Sequence, residues 1–94
     1  MEDDKFFDLE IITPDMIFWK GQASMLEMPT TEGQVGIYKQ HIPMTMILAP
    51  GVMTIHLESE NKEVAVDAGV LEILPEKITG MAESAEWLEL KINN

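Results

Sequence analysis

Gly51-Val52-Met53-Thr54-Ile55-His56-Leu57, a break at Glu60-Asn61-Lys62, and then Glu63-Val64-Ala65-Val66-Asp67 carry the signal that decides the fold. Met53, Ile55 and Leu57 fall on one side of an extended chain while Thr54, His56 and Glu58 fall on the other, which is the period-two alternation of a half-buried strand. Glu60-Asn61-Lys62 joins the two runs as a tight hairpin, because these residues favour turns. The chain opens in the same way: Phe7, Leu9 and Ile11 share one face and Asp8 and Glu10 the other.

Working outward, turn residues recur so often that ordinary helices do not fit between them. They include Thr13-Pro14-Asp15, Gly21, Pro29 to Gly33, Pro43, Pro50-Gly51, Asp67-Ala68-Gly69 and Pro75-Glu76-Lys77, the last a second tight hairpin. The pattern predicts strands over Phe6–Thr13, Met16–Lys20, Gln22–Met28, Gly33–Ile37, Met44–Leu48, Gly51–Leu57, Glu63–Asp67, Gly69–Leu74 and Lys77–Ala82. So many short strands at this spacing indicate an all-β antiparallel sandwich or barrel. Ala82-Glu83-Ser84-Ala85-Glu86 has the composition of a helix start, yet Trp87 to Ile92 alternates like a strand, so Glu83 to Asn94 is expected to be a partly ordered tail.

Size and composition bound the rest. A chain of 94 residues and 10.6 kDa supports one core, with about 64% of its unfolded surface buried on folding. It is 46% hydrophobic and 24% charged, which is globular and not disordered composition. Acids outnumber bases 17 to 6, all six bases are Lys, and the net charge is -11. A polyanion would repel such a chain, so nucleic acid is excluded as a partner, and anionic lipid surfaces are disfavoured for the same reason. No apolar run approaches the ~20 residues of a spanning helix, and the acidic start is unlike a signal peptide, so direct membrane insertion is not expected.

Chemistry has little to work with. Cys is absent, and His41 and His56 stand in no metal-ligand spacing, so neither metal nor cofactor is expected. Ser24, Ser59 and Ser84 lie in no nucleophile motif, and Gly33-Gln34-Val35-Gly36 lacks the Lys and the following helix of a phosphate cradle. The eight methionines, Met44 and Met46 among them on one strand face, serve either as core filler or as an adaptable docking surface. Trp19 and Trp87 divide in the same way between packing and interface anchoring. His41, close to Pro43, reads by itself as a structural hydrogen-bonding residue.

The run Thr30-Thr31-Glu32-Gly33-Gln34-Val35-Gly36-Ile37-Tyr38-Lys39-Gln40-His41-Ile42-Pro43 is more specific. With Ala49-Pro50-Gly51, Ala68-Gly69-Val70-Leu71-Glu72-Ile73, Lys77-Ile78-Thr79 and the opening Leu9-Glu10-Ile11-Ile12-Thr13-Pro14-Asp15, it resembles the N-terminal domain of the epsilon subunit of bacterial F-type ATP synthases, from about Phe6 to Trp87. Gln34-Val35 stands where Glu-Leu is common in that family, Lys39-Gln40 replaces Pro-Gly, Ala49 replaces Lys and Ala68 replaces a Gly.

The resemblance implies an antiparallel β-sandwich of about nine to ten short strands in two sheets over residues 1–87, followed by a short tail over 88–94 with no helical hairpin. It implies a non-catalytic rotor subunit of the central stalk of a proton- or sodium-translocating synthase, docking the gamma subunit to the c ring at the cytoplasmic face of the membrane. Thr30, Thr31, Glu32, Gly33 and Gln34 would reach the c ring, and Thr13, His41 and Met46 would face gamma. Inhibition and ATP capture in the family use the C-terminal helices, so this chain is expected to bind no ATP. The alternative is a free-standing β-sandwich protein-binding module unrelated to the synthase.

Overall fold

The computed structural model describes residues 4–88. Ten strands follow one another: β1 (Phe7–Thr13), β2 (Met16–Ala23), β3 (Met25–Thr30), β4 (Gly33–Ile37), β5 (Met44–Leu48), β6 (Gly51–His56), β7 (Asn61–Val66), β8 (Gly69–Leu74), β9 (Lys77–Ala82) and β10 (Ala85–Trp87). One layer runs β10-β7-β6-β3 with β4 on the far edge of β3, and the other runs β5-β8-β9-β1-β2. Leu9, Ile11, Leu26, Met28, Met53, Ile55, Leu71, Ile73 and Ile78 point between them and are almost wholly excluded from water. Two pleated faces are thus buried against each other, as the alternation requires.

The two layers are not separate sheets. β3 shares one edge between β6, through Met25–Glu27, and β5, through the single pair Thr30↔Leu48, so the hydrogen-bonded path is continuous. Pro29 lies at the crossing, where it has no N–H to give, and its carbonyl accepts from Ala49 N–H at 3.1 Å. At the opposite seam Phe18 of β2 and Trp87 of β10 stack with ring centroids 4.8 Å apart, and Lys62 Nζ lies 5.2 Å from the Trp87 ring. No backbone ladder joins β2 and β10. Among the described residues, side chains alone close the nearly complete barrel there.

Several expectations need correction. The sheet is mixed and not wholly antiparallel, because β1 pairs with β9 in parallel. The two strands come from opposite ends of the described chain, so no turn between them fixes their direction. The turn between β6 and β7 falls at Leu57 to Glu60, closed by Leu57 N–H donating to the Glu60 carbonyl at 2.8 Å, and Asn61 and Lys62 already belong to β7. The expected strand Gln22–Met28 breaks at Ser24, whose N–H and hydroxyl both donate to the His56 carbonyl, at 2.8 and 3.3 Å. The segment with a helix-start composition is instead strand β10, because Ala85, Glu86 and Trp87 complete the open edge of β7. The tail expected over residues 88–94 lies, beyond Leu88, outside the described residues.

Candidate functional site: a loop, a groove and an apolar row

The turn between β3 and β4 is built by one hydroxyl. Thr30, only 7% exposed, donates from Oγ1 to the Gly33 carbonyl at 2.7 Å and accepts from Glu32 N–H at 3.1 Å. Gly33 closes the turn with φ of +113°, a conformation that residues with a Cβ rarely adopt. Thr31, Glu32 and Gln34 are thereby held outward on a defined tip. Beside the tip, Thr30, Thr31, Glu32, Val35, Met44, Thr45, Met46 and Ile47 line an open groove of about 340 Å³.

The second layer carries a feature on its outer face that strand alternation does not predict. Cross-strand partners share a face, and the pairs Ile47↔Val70, Val70↔Met81, Met81↔Ile12 and Ile12↔Ile17 make one row across β5, β8, β9, β1 and β2. Ile47 is 56% exposed, Val70 38%, Met81 42% and Ile17 53%. Four strand spacings give the row a length of about 19 Å. Polar residues occupy the next outward row, Thr45, Glu72, Thr79, Glu10 and Lys20. Within it Glu10 is also 3.5 Å from Lys77. Beside the other flank, Thr13 and Pro14 join Val70, Met81 and Glu83 around a depression of about 470 Å³.

The residues expected to face gamma do not form one cluster. Thr13 ends β1 at the same end of the layer as the β3–β4 tip. Met46 packs partly against the core and lines the groove beside Thr30 to Glu32. His41 lies at the far end, in the link between β4 and β5, where its Nδ1–H donates to the Ile42 carbonyl at 2.9 Å and the neighbouring Gln40 N–H bonds the Pro75 carbonyl. The row residues Ile12, Ile17, Ile47, Val70 and Met81 were missed by sequence reasoning. Their signal was there: Ile11-Ile12, Ile47-Leu48, Val70-Leu71 and Met81-Ala82 each put an apolar residue on both faces of a strand.

Of the methionines, Met28 and Met53 lie in the core, whereas Met16, Met44 and Met81 are exposed. Among the described residues, no group of three or more His, Asp or Glu is placed to hold a metal ion, and no helix is long and apolar enough to cross a membrane. His56 and Glu27 form an isolated cross-strand contact, Nε2 to Oε1 at 3.0 Å.

Fold and surface together describe a β-sandwich domain with an exposed apolar row on one sheet face and a hydrogen-bonded loop tip beside it. The chain belongs to the family of ATP synthase delta/epsilon chain β-sandwich domains, whose pattern it matches over residues 6–88. It is 37% identical over 79 residues to the ATP synthase epsilon chain of a Neisseria meningitidis serogroup C strain, covering 82% of this chain and 56% of that one. With the ATP synthase epsilon chain of Caldanaerobacter subterraneus subsp. tengcongensis it shares 37% identity over 87 residues, covering 92% of this chain and 63% of that one. The chain therefore spans little more than half the length of these relatives. The fold also matches a chain in the Euglena gracilis mitochondrial ATP synthase OSCP/F1/c-ring structure, with a TM-score of 0.84 at 16% identity over 93% of this chain and 56% of that one.

Proposed function

We propose that this chain is a non-catalytic rotor subunit of a proton- or sodium-translocating F-type ATP synthase, docking the gamma subunit to the c ring at the cytoplasmic face of the membrane. The observation that carries the reading is the exposed apolar row on an otherwise strongly acidic chain. Isolated exposed apolar residues are ordinary, but a contiguous stripe with a polar border marks an interaction surface. The gamma contact runs from Thr13 along Ile12, Met81 and Val70 to Ile47, with Met46 beside its end and His41 beyond it.

The c ring contact is the tip Thr30-Thr31-Glu32-Gly33-Gln34. Thr30 pins that tip to the sandwich, and the dense interior behind it resists deformation, which suits a part that passes torque between two partners. The exposed Glu72 and Glu83 beside the row favour a partner whose apolar stripe is bordered by basic groups, and such complementarity chiefly sets association rate and orientation.

Reconstitution tests the reading. Added to the synthase of its own organism stripped of the native epsilon subunit, the chain is expected to restore ATP-driven ion pumping. Pumping that stays uncoupled although the chain is bound would refute it.

A further inference from the structure

We infer that Met81 is an oxidation site that gates assembly: a peroxide converts its thioether to the sulfoxide on the free chain and so weakens binding to the stalk partner. The inference rests on the gamma contact proposed above and names a regulation of that same surface. Of the five row residues Ile17, Ile12, Met81, Val70 and Ile47, four are branched aliphatics without a reactive atom, and Met81 at the centre carries the row's one sulfur. It is 42% exposed, whereas Met28 and Met53 are 0% and 1% exposed and out of reach of a dissolved oxidant while the chain is folded.

The step is a two-electron transfer. A sulfur lone pair attacks one peroxide oxygen, the S–O bond forms as the O–O bond breaks, and the departing hydroxide takes the proton left on the transferred oxygen and leaves as water. Sulfur is oxidised, the peroxide is reduced, and an apolar side chain becomes polar. Where that oxygen stands is decided by the backbone. Met81 is laddered on both sides, to Val70 of β8 and to Ile12 of β1, so a register slip that would carry the sulfoxide off the outer face is blocked twice. Met16 and Met44, also exposed, each begin a strand and are each paired on one side, to Thr13 and to Ile73. In the complex the new oxygen is pressed against the partner's apolar stripe, where a polar group without a donor opposes burial.

The test treats the whole chain and its Met81→Leu variant with hydrogen peroxide, maps the sulfoxides by peptide mass spectrometry, and measures calorimetric affinity for purified gamma subunit before and after. Leu fills a similar volume without sulfur, and each form is compared with its own untreated sample. Met81 is expected to convert well before Met28 and Met53, and more slowly when gamma is already bound. Oxidised wild type should bind gamma about tenfold more weakly, equivalent to about 1.4 kcal/mol. Oxidised Met81→Leu should bind as its untreated form does, and methionine sulfoxide reductases should restore the affinity of oxidised wild type. An equal loss in the two forms, a Met81 that converts no sooner than Met28 and Met53, or undiminished binding after Met81 has converted overturns the inference and leaves the gamma reading in place. Wild type that fails to bind gamma before any oxidation refutes the gamma reading, and the inference falls with it.

Discussion

Gly69 begins β8 opposite Ala82 of β9, and a side chain there has no room. A Cβ at Gly69 would lie 2.0 Å from the Met81 carbonyl oxygen and 2.8 Å from the Ala82 Cα, whereas real Cβ contacts essentially never fall below 3.0 Å. Gly69→Ala therefore drives the two backbones apart by about 1 Å. β9 cannot simply retreat, because its other edge is bonded to β1 through Gly80↔Ile11 and Met81↔Ile12.

Forcing extra volume into such a contact costs about 1–3 kcal/mol, and weakening one ladder hydrogen bond adds about 1 kcal/mol. The expected loss is about 2–4 kcal/mol, which a domain with typical stability of roughly 5–15 kcal/mol survives at 25 °C. Urea unfolding followed by the fluorescence of Trp19 and Trp87 should show a lower midpoint with an unchanged slope. Because Val70 and Met81 flank the clash, the apolar row is displaced as well, and partner binding should fall further than the unfolded fraction explains. A stability loss below about 0.5 kcal/mol, the size of an ordinary surface substitution, would refute the steric argument.

Three further outcomes are expected. Gly33→Ala meets no neighbour within 4 Å but must hold φ near +113°, so urea titration should register a loss of about 1–2 kcal/mol from backbone strain alone. Thr30→Val keeps the volume and loses both hydroxyl bonds, which should cost about 1–2 kcal/mol and quicken amide exchange at Glu32. A double-mutant cycle with Phe18→Leu and Trp87→Leu should give a coupling of about 0.5–1.5 kcal/mol, and additivity would show that the rings do not close the β2/β10 seam.

The all-β architecture was legible because the core sits on alternate residues: Phe7, Leu9 and Ile11, or Met53 and Ile55, each declare an inward face without help from the rest of the chain. The β8–β9 hairpin was legible for the same local reason, since Pro75-Glu76 carries its own turn chemistry. Less local features were not. The parallel β1–β9 pair and the crossing of β3 between layers depend on which distant edges are left open, and β10 is a strand only because β7 offers it an edge.

The tip Thr30 to Gln34 could be located in the sequence, although the inward hydroxyl of Thr30 that builds it could not. The apolar row shows the limit most clearly. Each of its residues is an unremarkable break in alternation, and only the registers Ile47↔Val70, Val70↔Met81 and Met81↔Ile12 turn the breaks into a surface.

The central claim is that this row is what the stalk partner covers, and the most direct measurement of it is the calorimetric affinity of the chain for purified gamma subunit with and without Val70→Glu and Met81→Glu together. Both positions are exposed, at 38% and 42%, but they face each other across β8 and β9, so the two new charges are expected to cost about 0.5–1 kcal/mol in urea titration and affinity is compared per folded molecule. The new carboxylates stand between Glu72 and Glu83 on the face that must lose water, and the affinity is predicted to fall by at least about 30-fold, the loss of one interface anchor. Binding of undiminished affinity by a fully folded variant would contradict the account.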